Sequence, residues 1–222
     1  MKTEEQEKAT LGKAETKMLK IWGRTNSVNV KKALWCIEEL GLPHERVDAG
    51  MQYGVVNTPE YRKLNPNGLV PTLDDDGFVL WESHTIARYL AAKHGAGKLW
   101  PTDLRQRAEA ERWMDWAFTF QAAFRPVFWG LVRTPPEKRD AAAIEEGRKK
   151  SAELLGYFDA ALSGRKYVAG DAFTVGDIPL GCHVQLWMRL PIERPKLAAL
   201  EGWFGRLLER PAYRKVVDIP LT

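Results

Sequence analysis

The stretch "GRTNSVNVKKALWCIEELGL", residues 23–42, runs a polar loop straight into an apolar-faced helix. Val30, Ala33, Leu34 and Ile37 recur at i, i+3, i+4 and i+7, the spacing of one helix face. Gly41 supplies the C-terminal stop, and Pro43 cannot continue the helix. Ser27 stands where a helix cap stands, so its hydroxyl can accept a backbone N–H of the first turn. The same position also lets a hydroxyl hold a ligand at the positive end of the helix. Before the stretch, "LKIW" reads as a strand, and after it "HERVDA" reads as a second one.

Further along, "PEYRKLNP" predicts one or two helical turns. "VPTL" is extended, "DDDG" is a turn, and "FVLW" is its hairpin partner. Ser83 caps "HTIARYLAAKHG", whose apolar face is Ile86, Tyr89 and Leu90. The order β-α-β-α-β-β-α makes a small α/β domain. After "GAGKLWPTD" the strand signals stop. Thr102 or Asp103 caps a long helix through about Phe124, and "RTPPEKRD" is a break. Further helices are expected from about Ala141 to Leu162, Val175 to about Leu190, and Lys196 to Glu209. Three segments result: a disordered polar tail (1–17), an α/β domain (18–97) and an all-helical domain (103–222). Met18 opens the first strand and is itself a candidate start.

The chain has 222 residues and is 45% hydrophobic, enough for a substantial core. No apolar run is long enough to span a membrane, and the first 17 residues lack the apolar core of a secretory signal. Their four Lys and four Glu cancel, so the net charge of +4 belongs to the rest of the chain. That excess suits a small anion better than a nucleic acid, and "GRKK" at 147–150 reads as a solvated helix face. Cys36 and Cys182 are far apart and form no CxxC, which removes a dithiol site and a cysteine zinc site. Sparse cysteine fits the cytoplasm. The four histidines show no metal spacing.

Four local matches in order, the serine loop, "NPNGLVPTL", "LWESHTIARYL" and "FTVGDIPL", resemble the cytosolic glutathione transferases, in the serine-using group of theta-like and zeta-like enzymes. The resemblance covers Met18 to about Pro211. It implies the glutathione transferase fold, a thioredoxin-like α/β domain plus an all-α domain. It also implies homodimers, glutathione as co-substrate, and conjugation of small, largely apolar electrophiles in detoxification.

That resemblance assigns roles to residues. A free thiol titrates near 8.5, and a hydroxyl donating to sulfur beside a helix N-terminus favours the thiolate. Ser27 fits this role, with Asn26, Asn29 and Thr25 as rivals. The loop holds no Tyr, which removes a tyrosine-type mechanism. The Val70–Pro71 bond is expected to be cis, with Val70 pairing the cysteinyl backbone of glutathione. Where many members carry Lys or Gln, this chain has Leu69, so either Lys31, Lys32 or His44 takes the glycyl carboxylate or affinity for glutathione is weak. Ser83 and its helix start would hold the γ-glutamyl carboxylate, and Glu82 the ammonium. His84 is primarily a helix-surface or interface residue, with a ligand role as the alternative. Thr174 and Asp177 form a capping box that serves stability. The aromatic stripe Trp113, Trp116, Phe120 and Phe124 is core or dimer interface, or in part the electrophile pocket. Phe118, Arg125, Phe128 and Trp129 are further candidates for that pocket. Two other functions share the scaffold: a glutathione-dependent peroxidase, reductase or isomerase, and a non-catalytic interaction module.

Overall fold

The computed structural model describes residues 18–221; the expected tail, 1–17, lies outside the described residues. Strand β1 (Leu19–Trp22) leads into helix α1 (Val28–Glu39) and returns as β2 (His44–Val47). A short helix α2 (Pro59–Leu64) precedes the hairpin β3 (Thr72–Asp75) and β4 (Phe78–Trp81). Asp76 and Gly77 both take positive φ, 57° and 86°, which is the backbone an Asp-Gly hairpin turn requires. The sheet order is β2-β1-β3-β4, with β1 parallel to β2 and antiparallel to β3. Leu19 and Ile21 alternate inward along β1. Helix α3 (Ser83–His94) closes the α/β part and packs beside α1.

From there the described chain is helical: α4 (Leu104–Phe128), α5 (Ala141–Leu162), α6 (Asp177–Arg189), α7 (Ala198–Leu208) and α8 (Pro211–Val216). Asp103, not Thr102, caps α4, its carboxylate accepting the Gln106 N–H at 2.8 Å. The helix runs past Phe124 to Phe128, with Pro126 inside it. A proline removes one donor from the helical ladder. The chain then widens into a five-residue turn, Trp129–Arg133, closed by the Thr134 N–H on the Trp129 carbonyl at 2.9 Å. Gly130 lets this turn lie against α5, since a Cβ there would fall 2.5 Å from Ile144.

One apolar core runs from Leu19 to Val217 without a break. Helix α1 is its centre, buried from Val30 to Ile37, because it is wedged between α3 on one side and α6 and α8 on the other. Asp177 is the polar anchor of the helical part. Its buried carboxylate accepts the N–H groups of Thr174 and Val168 and the indole N–H of Trp203, at 2.8 to 3.0 Å. The Thr174 hydroxyl donates to it at 3.4 Å. The reach-back half of the expected capping box is therefore present, and it ties two further elements to α6. No described helix is long and apolar enough to cross a membrane.

Candidate active site

Between β1 and α1 the chain turns sharply, with the Ser27 N–H on the Arg24 carbonyl at 3.2 Å. Ser27 then holds the cap position of α1, φ −83° and ψ 121°, and its carbonyl accepts the Lys31 N–H at 2.9 Å. Its hydroxyl accepts nothing from the first turn. The cap explains the backbone of Ser27 and leaves the hydroxyl for something else. That side chain is 8% exposed and lines a cleft of about 380 Å³.

The cleft lies between the two parts of the molecule. Asn26, Ser27 and Asn29 form one wall, together with Met51 and Leu69. Phe124, Arg125, Phe128 and Trp129 form the other, with Arg133 at the end of the wide turn. Gln121 and His183 reach it from the floor. Asn29 accepts from the Lys32 ammonium at 3.0 Å through its side-chain oxygen. Thr25 is on the far side of α1, in a different depression with His44, Arg46 and Lys215.

The Val70–Pro71 peptide bond is cis. The segment is pinned one residue earlier: the Leu69 carbonyl accepts the Tyr61 hydroxyl at 2.6 Å and the Asn65 amide at 3.0 Å. Both anchors also meet the Thr72 hydroxyl. No backbone hydrogen bond engages Val70 among the described residues, so its N–H and C=O are available to an extended peptide.

Glu82, not Ser83, occupies the cap of α3, and it does so at φ 74°, ψ 110°. A non-glycine residue held there carries backbone strain of about 1 to 3 kcal/mol. The strained turn leaves Ser83 as the first helical residue, buried, with the first N–H groups of α3 free of intrahelical partners. A helix start with a carboxylate beside it suits a zwitterion: the amide donors take the anion and Glu82 the cation.

Three expected ligands are committed elsewhere. The Lys31 ammonium is buried and donates to the Val217 carbonyl at 3.0 Å. Lys32 is fully buried, 3.0 Å from Asn29 Oδ1 and 3.0 Å from His84 Nε2. His44 sits 3.2 Å from the Leu42 carbonyl through Nδ1 and 3.9 Å from Glu38 through Nε2. The reason is the all-round burial of α1, which carries both lysines into the interior. Burial brings Lys32 down to about 8. His84 is buried against Lys32 and stacked on Phe118 at 4.2 Å between centroids. Burial, then the charges of Lys32 and Arg88, hold its imidazole down to about 2, so it is neutral and can accept from Lys32.

The aromatic stripe divides. Trp113 and Trp116 pack edge-on at 5.2 Å and both meet Phe158, inside the helical bundle. Phe120 is fully buried and stacks on Phe124 at 5.4 Å. Of the four, Phe124 alone is in the cleft lining, and Arg125 joins it there. Arg24, Met51, Gln121 and Arg133 line the cleft without having been singled out from sequence. Pro126 inside a helical pattern was the one available signal for the turn that delivers Arg133.

Comparison with known proteins agrees with this geometry. Residues 26–93 match the family model described as "Glutathione S-transferase, N-terminal domain" and residues 116–211 the one described as "Glutathione S-transferase, C-terminal domain". The chain belongs to the glutathione S-transferase family. It is 46% identical over 208 residues to "Glutathione S-transferase GstB" of Escherichia coli K12, covering 92% of this chain and 100% of that protein. Its fold superposes on a theta class glutathione S-transferase of Xanthomonas axonopodis pv. citri, solved with glutathione bound. There the TM-score is 0.89 at 50% identity, over 92% of this chain and 99% of that one. It also superposes on glutathione S-transferase I from maize in complex with an atrazine glutathione conjugate. That match has a TM-score of 0.82 at 25% identity, over 90% and 96% of the two chains.

Proposed function

We propose that this glutathione transferase ionises bound glutathione with the Ser27 hydroxyl and directs the thiolate at a small electrophile in the cleft. The observation that carries the assignment is a buried hydroxyl at the start of α1 that caps nothing and faces the cleft. Glutathione lies against the α/β part: its cysteinyl backbone pairs with Val70, its γ-glutamyl carboxylate meets Ser83 and the start of α3, and its ammonium meets Glu82. Residues 18–97 serve as the glutathione domain and 103–222 supply the electrophile wall through Phe124, Phe128 and Trp129. Lys31, Lys32, His44 and His84 serve the fold. The family resemblance supports a cytoplasmic homodimer engaged in detoxification, and exposed Phe78 and Trp81 on the edge strand offer apolar surface for pairing. Sedimentation velocity tests the dimer.

A hydrogen bond to a charged partner contributes about 1.5 to 3 kcal/mol, which is roughly 10- to 100-fold in rate. Ser27→Ala is expected to lower kcat/KM toward 1-chloro-2,4-dinitrobenzene by about that factor. The thiolate absorbance of bound glutathione should move to higher pH. Because no cap bond is lost, the thermal midpoint should stay within about 1 °C of wild type, well under the shift of a 1 kcal/mol change. Unchanged turnover would transfer the role to Asn26 or Asn29.

A further inference from the structure

The cleft is electrically one-sided. Three of its lining residues, Arg24, Arg125 and Arg133, are cations, and its lining contains no Asp or Glu. Several arginines elsewhere in the molecule sit on carboxylates, Arg88 on Asp115, Arg148 on Glu145, Arg189 on Asp218 and Arg210 on Glu39, while Arg62, Arg139, Arg194 and Arg206 donate to carbonyl oxygens. None of the three cleft arginines forms an ion pair among the described residues. Arg133 is close enough for Arg24 to feel its charge. Burial, and then Arg133, lowers the pKa of Arg24 from its ordinary value. The Arg24 Nε–H is buried and has no hydrogen-bond partner among the described residues. The same is true of Gln121 Oε1 and His183 Nε2 on the cleft floor. Like charges facing each other beside the unmet Arg24 Nε–H donor are costly unless an anion comes between them.

The walls say what carries the anion. The Arg133 guanidinium lies over the Phe128 ring at 5.8 Å and Arg125 over Trp129 at 5.7 Å. A guanidinium resting on a ring face keeps its N–H edges free for a planar oxyanion. Phe124, Phe128 and Trp129 offer flat apolar surface beside those edges.

We propose that the second substrate is an aryl electrophile bearing a carboxylate or sulfonate, and that Arg24, Arg125 and Arg133 bind its anionic group. This rests on the transferase reading above. In the reaction the glutathione sulfur forms a bond to the ring carbon that carries a halide. The carbon–halogen bond breaks, and the halide leaves with the electron pair. The thiol proton has already passed to solvent. The anion stays on the arginines throughout, so it places the ring and takes no part in bond making.

The test compares 4-chloro-3,5-dinitrobenzoate with 4-chloro-3,5-dinitrobenzamide, near-isosteres that differ in charge. Each kcat/KM is divided by the uncatalysed rate with glutathione. Wild type is expected to prefer the benzoate by about tenfold or more, the scale of one charge-assisted contact. Arg133→Met should reduce that ratio at least about fivefold, and Arg133→Lys, which keeps the charge, should restore part of it. A wild-type ratio near one would overturn the proposal. So would arginine variants that raise the KM for glutathione equally with both substrates, for then the guanidiniums hold the tripeptide's own glycyl carboxylate. Turnover of neither compound, with no retention on immobilised glutathione, would remove the transferase reading and this one together. Benzamide turnover without the ratio removes only this one.

Discussion

Replacing Lys32 by Met should flatten the alkaline side of the stability profile. Lys32 carries its ammonium into a fully buried site whose neighbours are Asn29, neutral His84, the Cys182 thiol and, at longer range, Glu82. It titrates near 8 in the fold against an ordinary 10.5. The folded chain thus releases the proton more readily than the unfolded chain. Below pH 8 burial of the charge weighs fully against folding, and that penalty is relieved as pH climbs from 8 toward 10.5. At about 1.36 kcal/mol per pH unit of difference, the total is about 3 kcal/mol, of which about 2 kcal/mol falls between pH 7.5 and pH 10. Urea unfolding followed by tryptophan fluorescence at those two pH values, in wild type and Lys32→Met at one protein concentration, measures it directly. Other titrating groups contribute equally to both proteins and cancel in the difference. Wild type should gain about 2 kcal/mol relative to the variant. A relative gain below about 0.5 kcal/mol, the usual scatter of additivity, would refute the buried-ammonium reasoning.

Three further outcomes are expected. Asp177→Ala strands the buried Val168, Thr174 and Trp203 N–H groups, at about 1 to 3 kcal/mol each before relaxation; a loss under about 1 kcal/mol in chemical denaturation would count against its anchoring role. Glu82→Gly releases the strained cap, so the variant should be at least as stable as wild type by thermal unfolding while its calorimetric affinity for glutathione falls; weaker stability with unchanged affinity would contradict both roles. Gly181→Ala puts a methyl 2.7 Å from the Trp35 ring and 2.9 Å from Leu207, and overpacking of this kind costs about 1 to 3 kcal/mol; an unchanged urea midpoint would show that α1 and α6 can part.

Much of the architecture was legible because hydrophobic period and punctuation agree. "LKIW" is β1 residue for residue, Ala141–Leu162 is α5, and Asp-Gly forms the hairpin turn between β3 and β4. The cis bond at Pro71 came from the family resemblance rather than from any local rule. What period could not show was burial on more than one side. The face Val30, Ala33, Leu34, Ile37 is visible in the sequence, but Lys31 and Lys32, off that face and expected as candidates for the glycyl carboxylate, are taken inside by tertiary packing. Ser83 read as a cap on propensity, whereas the chain spends a positive φ on Glu82. Helix α4 is expected through about Phe124 and runs to Phe128, with Pro126 inside it. The wider turn that follows brings Trp129 and Arg133 to the cleft lining.

The wedged position of helix α1 has a consequence for how the two parts can vary. Cutting the chain between them would bare Leu34, Trp35 and Ile37 on one piece and leave Gly181, Tyr213 and Leu207 without a lid on the other. A chimera that exchanged the helical part for another family member's would have to match this helix on both of its buried faces. The segment that bears Ser27 is therefore held, in recombination as in design, by both halves of the molecule at once.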